Sequence, residues 1–560
     1  MKKWICLLLC TMMLALCLGG CGKPAAPPAE TPAESASEPE PAESAGEPEP
    51  EGGGEFVLRG EAYAPAADAG DNNRVFYEIF VGSFSDSDGD GTGDLRGIIR
   101  RMDYLNDGVP DSGLSLGVEG LWLTPIYPSP SYHKYDVIDF YDVDPAFGTL
   151  DDLRELAALC HERGVKLILD LPINHTSTQC AWFSQFKLAH RSGDTSDPYY
   201  DFYSWCKAGD QPAGRAFEAI VGCNDLYECN FWDQMPELNF ENPSVREEVL
   251  NIAKFYLNLG VDGFRFDAAK YVYFGDHGRN ADFWVWYMDE LRAVKPDLYA
   301  VAEVWDADSI TDLYYPALNC FDFTVSQVSG FIADAAKNGS VSRYTSYVES
   351  YLKQVKSLRE DATIVPFVAN HDTDRAAGFL PVSDGSMRVA ANLYLLGPGS
   401  PFLYYGEEIG MKGSRGGANT DANRRLAMLW GDGDSVKDPE GSTYEISKQI
   451  NGTVSDQIGD ENSLYTHYKK LLLIRRANPE IARGDYSAVS VPGSKVGGFV
   501  SVWKDSAVCV LHNPAQSAVT VDLAALGLDF DSIAACIGAG EATLEGSTLS
   551  LGGQTSVVLR

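Results

Sequence analysis

Short apolar runs alternate with amphipathic stretches along most of the chain from about residue 74 onward. An apolar run of a few residues is typical of a buried strand, whereas apolar residues spaced three and four apart mark one face of a helix. Eight runs have strand character, at 75–84, 120–126, 165–171, 261–267, 298–304, 321–325, 363–369 and 401–406. Eight strands that alternate with helices predict an α/β fold, namely a closed (β/α)8 TIM barrel.

The stretches between these runs include five predicted helices, at 150–164, 243–260, 283–294, 346–358 and 463–479. Gly164 is placed to end the first helix and Pro243 to begin the second, as these residue types commonly do. An open, doubly wound sheet is the alternative to a barrel. It would need a glycine-rich nucleotide loop after its first strand, and the sequence has none there.

Two regions interrupt the alternation. Residues 176–238 follow the third strand, contain many aromatic residues and no clear βα unit, and are too long for a plain loop, so they predict an inserted subdomain. After about residue 480 the helical pattern stops, and short alternating runs predict a C-terminal antiparallel β-sandwich domain at 480–560. The barrel is therefore assigned to residues 61–175 and 239–479. The Gly- and Asp-rich stretch from 430 to 461 has no assigned role.

The N-terminus has the pattern of an export signal. Two lysines, a short apolar run and small residues occupy positions 1–20, which predicts a signal peptide rather than a membrane span. The ending LGGC resembles a bacterial lipoprotein signal, which would make Cys21 the lipid anchor; a simple secretory signal is the alternative. Residues 21–60 are rich in Pro, Ala, Ser and Glu and predict a disordered tether. We therefore expect an extracellular protein held at the cell membrane by this lipid anchor alone.

The charge balance limits the partners. Lys and Arg number 44 and Asp and Glu number 80, giving a net charge of -36. Such a charge argues against nucleic acid or an acidic membrane surface as a partner and is compatible with a neutral sugar. Four of the cysteines fall within 176–238, at Cys180, Cys206, Cys223 and Cys229. In an exported protein they permit disulfides, and their three possible pairings stay open.

Candidate catalytic residues stand at the ends of the predicted strands, where barrel enzymes carry their functional groups. In VDGFRFDAAK, Arg265 and Asp267 share one face of a strand, and two phenylalanines share the other. An ion pair of this kind is either a structural core pair or part of a site. The other strand ends favour a site, because they carry further acids and histidines: Asp170, Asn174, His175, Glu303, His371 and Asp372.

The motifs DLPINH, GFRFDAAK, AEVW and FVANHD, joined by YHKYD, MPELN and YYGEEIG, resemble those of the α-amylase superfamily of glycoside hydrolases. The resemblance covers the chain from about residue 74 to its C-terminus. It implies hydrolysis of α-glucosidic bonds with retention, with Asp267 as nucleophile, Glu303 as general acid/base and Asp372 as the acid that supports the transition state. It also implies substrate contacts by His133, Tyr135, Asp136, His175, Arg265, Lys270 and His371. A retaining mechanism predicts that the carboxyls of Asp267 and Glu303 lie about 5–5.5 Å apart.

Departures from the family pattern affect the expected specificity. In many members of the family, the backbone of a histidine and an asparagine matching Asn174 together hold a calcium. Tyr271 stands at the position of that histidine, so the resemblance does not predict this calcium here. MPELN resembles a motif of enzymes intermediate between α-amylases and oligosaccharide-specific relatives. We expect a monomer that cleaves internal α-1,4 bonds in starch and maltooligosaccharides. The alternatives are an α-glucosidase, a cyclomaltodextrinase, a 4-α-glucanotransferase or a non-catalytic glycan-binding lipoprotein.

The sequence DSDGDGTGD predicts a structural Ca²⁺ site. Asp86, Asp88, Asp90 and Asp94 have the spacing of a calcium loop, although the final glutamate of an EF-hand is absent. A solvated acidic turn is the alternative, but four crowded aspartates without a cation would repel one another. Family members bind calcium in a similar loop and add the backbone carbonyl at the position of Thr92. Mg²⁺ would want fewer protein ligands.

Overall fold

The computed structural model describes residues 57–58 and 71–560. The predicted signal peptide, the proposed lipid-anchor residue Cys21 and most of the predicted tether lie outside the described residues. None of the helices in the described part of the chain is long and apolar enough to span a bilayer.

The described residues form strands that divide among a barrel, a subdomain and a C-terminal domain. In chain order they are β1 Val57–Leu58, β2 Phe76–Ile79, β3 Gly120–Leu123, β4 Lys166–Leu171, β5 Trp205–Lys207, β6 Phe217–Ala219, β7 Asp225–Glu228, β8 Gly263–Phe266, β9 Tyr299–Ala302, β10 Asn319–Cys320, β11 Phe402–Tyr404, β12 Asp485–Ser490, β13 Gly497–Trp503, β14 Ser506–Asn513, β15 Val519–Asp522, β16 Ile533–Gly538, β17 Ala542–Glu545, β18 Thr548–Leu551 and β19 Thr555–Leu559.

The α-helices lie mostly between the barrel strands. They are α1 Leu95–Arg100, α2 Met102–Leu105, α3 Leu150–Glu162, α4 Ala181–Ser192, α5 Pro243–Asn258, α6 His277–Val294, α7 Asp308–Thr311, α8 Phe331–Asn338, α9 Val341–Leu358, α10 Ser386–Leu395, α11 Val454–Gln457, α12 Leu464–Ala477 and α13 Glu480–Arg483. The five helices predicted from the sequence correspond to α3, α5, α6, α9 and α12.

The barrel sheet has the strand order β10-β9-β8-β4-β3-β2-β11, with all neighbours parallel. The seventh predicted segment, 363–369, is not a regular strand, so that part of the prediction was wrong. Two isolated bridges join it to the sheet, Val365 to Phe321 and Phe367 to Phe402. Pro366 stands between them and has no N–H to donate to a ladder. The bridges connect the two edges of the sheet, and the predicted barrel is confirmed.

Apolar side chains from every side fill the barrel interior. This inner layer consists of Phe76, Trp122, Ile168, Tyr299, Val301, Phe321, Val365, Phe367 and Phe402. On β8, Phe266 faces outward, because its ring lies 4.7 Å from that of Trp284 in α6. Arg265 faces inward, 5.2 Å from the Trp122 ring. The alternation expected from VDGFRFDAAK therefore holds, and it directs one arginine to the mouth of the barrel.

Residues 176–238 fold as α4 and a three-stranded antiparallel sheet of order β5-β7-β6. The four cysteines of this region are free thiols, so the disulfides that the sequence permits are not formed in the described structure. Aromatic packing holds the subdomain together instead. The Phe183 ring lies 5.6 Å from Phe186 and 5.1 Å from Tyr203, which are all buried.

The C-terminal domain pairs a six-stranded antiparallel sheet, β1-β16-β19-β14-β13-β12, with a three-stranded sheet, β15-β18-β17. Side chains from both sheets share one buried layer, which includes Leu511, Val521 and Leu549, so the predicted sandwich is confirmed. Val57 and Leu58 pair with β16. The predicted tether therefore cannot run to residue 60, because this part of it is an edge strand.

Candidate active site

One buried arginine connects three carboxylates at the mouth of the barrel. Arg265 is 1% exposed. Its Nη1 lies 2.8 Å from Asp170 Oδ1 and 2.6 Å from Asp267 Oδ1, and its Nη2 lies 2.9 Å from Glu303 Oε2. The expected pair of Arg265 and Asp267 is therefore part of a larger cluster, in which one guanidinium holds the predicted nucleophile and the predicted acid/base side by side.

A strained turn places the backbone after Asp267. Ala268 has φ 47°, in the left-handed region that residues with a Cβ rarely adopt. Asn174 Nδ2 donates to the carbonyl oxygens of Asp267 and Ala268 at 3.1 and 2.9 Å, and the Ala268 N–H donates to Glu303 Oε2 at 3.1 Å. The turn thus supplies a backbone donor to the predicted acid/base, which is a reason for such strain to persist at a site.

Burial raises the pKa of two of these acids, Glu303 and Asp170. Burial raises the pKa of Glu303, and repulsion from Asp267 and Asp372 adds to the increase, while Arg265 opposes it. Burial also raises the pKa of Asp170 to about 7, against the opposing effect of Arg265. A raised pKa keeps Glu303 protonated at higher pH, as a general acid requires.

Asp372 has the opposite environment. Burial alone would raise its pKa, but His371 and Arg425 lower it well below the usual range. His371 Nε2 lies 3.0 Å from Asp372 Oδ2, and Arg425 Nη2 lies 2.7 Å from Oδ1. His371 Nδ1 lies 2.5 Å from the buried Glu78. Burial lowers the pKa of His371, but these two carboxylates outweigh it and raise the pKa to about 10, so His371 is a cation near neutral pH.

The carboxylates open into a cleft of about 700 Å³. Three aromatic side chains at its surface are almost half exposed: Phe231 at 44%, Trp232 at 47% and Trp305 at 44%. Trp305 stacks on Phe323, with ring centres 4.7 Å apart and planes 8° apart. Exposed aromatic faces beside convergent polar groups suit a ligand with both apolar faces and hydroxyls, such as a sugar chain.

Most of the predicted site residues line this cleft. They are His133, Tyr135, His175, Asp267, Lys270, Glu303 and Asp372. Arg265, His371 and Asp136 do not line it. Asp136 is 0% exposed and accepts hydrogen bonds from the hydroxyls of Ser129 and Ser131, so it holds its own loop in place. His371 is also fully buried, and it contacts the cleft through Asp372 and through the hydroxyl of Tyr135, 2.7 Å away.

Several residues of the site were not predicted. Glu78 had a signal, since it is a lone acid in the apolar run of the first strand. No sequence signal indicated Arg425, because it lies in an irregular segment far along the chain from Asp372. Trp305 had a weak signal in the AEVW motif. Tyr132 is the first residue of the YHKYD motif, whereas Phe231, Trp232 and Asp421 come from loops without a recognisable pattern.

The acidic loop brings together three of its four aspartates. Oxygen atoms of Asp86, Asp88 and Asp94 lie within 4.8 Å of one another, with Asp86 and Asp94 buried. Burial would raise the pKa of Asp86, but the Ser435 hydroxyl and the N–H groups of the loop lower it to about 2. Such a set of ionised oxygens fits a hard cation. Asp90 is exposed and accepts the Thr92 N–H at 2.6 Å instead.

Comparisons with known proteins agree with these features. A family model described as "Alpha amylase, catalytic domain" matches residues 78–484. Alpha-amylase 3 of Dictyoglomus thermophilum is 37% identical over 448 residues, 79% of this chain and 84% of that protein. A 4-alpha-glucanotransferase of Thermotoga neapolitana is 30% identical over 78% of this chain and 95% of its own length. The solved structure of Eubacterium rectale Amy13B superposes with a TM-score of 0.81 at 32% identity, covering 90% of this chain and 97% of the other.

Proposed function

The chain belongs to the α-amylase superfamily of glycoside hydrolases, and from this premise we propose that it cleaves internal α-1,4-glucosidic bonds of starch and maltooligosaccharides. The observation that carries the proposal is the cleft of about 700 Å³, in which half-exposed aromatic residues extend beyond the three carboxylates. A site for one terminal sugar would not need Phe231, Trp232 and Trp305 together. Several aromatic surfaces suit a chain of sugars that lies across the catalytic acids.

The cluster supports a two-step reaction with retention. In the first step the Asp267 carboxylate attacks the anomeric carbon, and protonated Glu303 gives its proton to the departing glycosidic oxygen. In the second step Glu303, now ionised, takes a proton from water, the water oxygen bonds to the anomeric carbon, and Asp267 is released. Arg265 contacts both carboxylates, so it holds the nucleophile and the acid/base side by side.

A product profile tests the proposal. Purified enzyme would be incubated with starch, pullulan, cyclodextrin and maltoheptaose, and the early products would be separated by chain length. Maltooligosaccharides of mixed length from starch support internal cleavage, whereas glucose alone, released from chain ends, would overturn it. An Asp267→Asn variant prepared in parallel shows that the products come from this site.

A 4-α-glucanotransferase is the second candidate, favoured by one observation. Trp305 follows Glu303 by two residues and presents a stacked, half-exposed ring beside the predicted acid/base, where an acceptor sugar would lie. The match to the 4-alpha-glucanotransferase of Thermotoga neapolitana covers 95% of that protein. Incubation with maltotriose discriminates the two, because a transferase produces chains longer than the substrate and a hydrolase does not.

We also propose that Asp86, Asp88 and Asp94 hold a structural Ca²⁺, with the carbonyl of Thr92 as a further ligand. Three clustered carboxylate oxygens support this, and the loop is remote in sequence from the predicted catalytic acids. Elemental analysis of protein purified without added calcium tests it. About one equivalent of calcium supports the site, and a protein free of divalent metal overturns it.

We propose further that the protein is exported and held outside the cell membrane through a lipid on Cys21. Residues 1–20 and the LGGC ending support this. Starch is too large to enter a cell, so a glucan hydrolase has a physical reason to act outside. Release of the protein into the medium by Cys21→Ser supports the anchor, and unchanged retention in the membrane fraction overturns it. Sedimentation of the protein without residues 1–20 tests the expected monomer.

A further inference from the structure

A second cavity lies beyond the catalytic cleft and has nearly the same size, about 710 Å³. None of the predicted catalytic or binding residues lines it. Its walls come from four stretches of the chain, at 327–328, 374–379, 412–424 and 444–450. Part of the wall comes from the Gly- and Asp-rich stretch at 430–461, which has no assigned role.

A network of four charges separates the two cavities. Arg424 Nε lies 2.9 Å from Asp374 Oδ1, and Arg424 Nη1 lies 2.8 Å from Asp421 Oδ1. Arg415 Nε lies 2.9 Å from the same Asp421 oxygen. Asp421 lines the catalytic cleft, while Asp374 and Arg424 line the second cavity. Gly413 and Ser414 also line the second cavity and Asn419, Thr420 and Asp421 line the catalytic cleft, so segment 413–421 lies between the two cavities.

Hydrogen bonds fix the frame of the second cavity. The side chain of Gln449 accepts the Lys412 N–H at 2.9 Å and donates to the Lys412 carbonyl at 2.7 Å. Asn451 Nδ2 donates to the Gly410 carbonyl at 2.7 Å, and the Arg375 N–H donates to the Gly413 carbonyl at 2.9 Å. Because these hydrogen bonds hold the backbones of the wall segments in place, the cavity is formed before any ligand enters.

The lining has the chemistry of a carbohydrate site. Two aromatic side chains, Phe379 and Tyr444, are partly buried, and Val328 and Ile450 expose 59% and 69% of their surface. Amide, hydroxyl, carboxylate and ammonium groups alternate with these apolar surfaces. Gln327 is held at φ 67°, which is costly for a residue with a Cβ and marks a position of functional interest. Apolar faces with many surrounding donors and acceptors match a sugar ring.

We propose that the second cavity binds a segment of α-glucan chain at a site separate from the catalytic cleft, with segment 413–421 as the shared wall. The proposal rests on the proposed function for the chemistry of the ligand. A chain bound there is held close to the catalytic cleft, so the local concentration of long substrates at the cleft increases. Short substrates, which fill the catalytic cleft alone, gain nothing.

Gly378 allows the cavity to be filled without touching the catalytic residues. It lines the cavity, and a Cβ placed on it has no atom within 4 Å, so Gly378→Trp projects an indole into open space. Gly459 is also open and lies outside both cavities, so Gly459→Trp is the matched control. Ile450→Asp, at a residue already 69% exposed, weakens the apolar surface without a large side chain if Gly378→Trp does not fold.

Steady-state kinetics on two substrates gives the first readout. We expect Gly378→Trp to raise the KM for soluble starch about two- to tenfold and to leave hydrolysis of a short chromogenic maltoside unchanged, because one or two stacking contacts are lost. Ile450→Asp should change the KM in the same direction by less. Gly459→Trp should match the unmodified enzyme on both substrates.

Calorimetric titration of an Asp267→Asn background with maltoheptaose gives the second readout. We expect two binding events, of which Gly378→Trp removes one. A single event that Gly378→Trp does not alter, with an unchanged KM for starch, overturns the second site. That failure differs from a failure of the proposed function, in which Gly459→Trp and the unmodified enzyme hydrolyse no α-glucan at all.

Discussion

The mouth of the barrel and the acidic loop both crowd several carboxylates together, but they stabilise them by different means. At the mouth, the partners are cationic side chains: Arg265 binds three acids, and Arg425 binds a fourth. In the loop, the partners of Asp86 are backbone N–H groups and one hydroxyl. The difference lies in what each arrangement does to proton affinity.

Burial and nearby cations shift the pKa values of the acids at the mouth in opposite directions. Burial raises the pKa of Glu303, whereas at Asp372 His371 and Arg425 outweigh burial and lower the pKa, although both side chains line the same cleft. Such a division lets one acid carry a proton while another stays ionised. In the loop, by contrast, the pKa of Asp86 is lowered to about 2, which keeps its carboxylate available to a cation. Two acidic clusters of similar composition therefore suit catalysis and metal binding respectively.

The largest effect should follow from removing the nucleophile at the mouth. Asp267→Asn should lower kcat on starch by at least about a thousandfold, because an amide does not form the glycosyl-enzyme. Release of reducing sugar measures this. The thermal midpoint should change little, since Arg265 keeps Asp170 and Glu303 as partners. A variant with most of its activity would contradict the assignment of Asp267.

The second-largest effect should follow from removing the predicted general acid, Glu303. Glu303→Gln should lose about a hundred- to ten-thousandfold on starch, because the leaving oxygen receives no proton. The loss should be much smaller for a substrate whose leaving group departs without a proton, such as a nitrophenyl maltoside.

The pH dependence of Glu303 has a definite sign. Activity should fall as the pH rises through the raised pKa of Glu303, because the acid then loses its proton. The basic limb of the kcat/KM profile should therefore lie above the ordinary range of a glutamate and should disappear in Glu303→Gln. An equal loss on both substrates, with the basic limb unchanged, would assign the acid role elsewhere.

The third effect tests the cations that hold Asp372. Arg425→Met should lower kcat/KM about ten- to a hundredfold, the value of a charged hydrogen bond. Without Arg425 the pKa of Asp372 should rise, so the acidic limb of the pH profile should move upward. Arg415→Met is the matched control, because Arg415 is paired with Asp421 and not with Asp372. Similar profiles for the two variants would show that Arg425 does not set the charge of Asp372.

The smallest effect belongs to the loop. Removing calcium with a chelator should lower the thermal midpoint by about 2–5 °C and leave kcat per folded molecule unchanged. Asp88→Ala should abolish this dependence. Asp90→Ala should retain it, because Asp90 lies outside the group of three carboxylates. Equal losses in both variants would favour the four-aspartate ligand set expected from the sequence.

Much of this architecture could be predicted from the sequence because its signals are local. The apolar runs indicate the strands, and the alternation in VDGFRFDAAK directs Arg265 inward and Phe266 outward. The predicted catalytic acids could be found because each stands at the end of a predicted strand. The strand at 363–369 was predicted wrongly because its apolar composition is typical of a strand, whereas Pro366 has no N–H to donate to a regular ladder.

The partners of the acids could not be predicted, because they come from distant parts of the chain. Glu78 contacts His371 across 293 positions, and Arg425 approaches Asp372 from an irregular segment. Periodicity carries no information about such contacts. Asp136 is a different case. The YHKYD motif suggested that Asp136 contacts the substrate. Instead, Ser129 and Ser131 donate hydrogen bonds to its carboxylate, which therefore stabilises its own loop.

The irregular seventh segment of the barrel, 363–369, has a consequence for Asp372. Arg265 and Glu303 lie on or just after strands with full ladders, but Asp372 follows a stretch joined to its neighbours by two isolated bridges. Backbone amides there should exchange with solvent sooner than those of β8 or β9. Side chains support Asp372 instead: Arg425 and His371 contact its carboxylate, and Arg424 Nη1 donates to its carbonyl oxygen at 2.7 Å. In this acid, the same ion pairs that lower the proton affinity also replace the missing backbone ladder as its mechanical support.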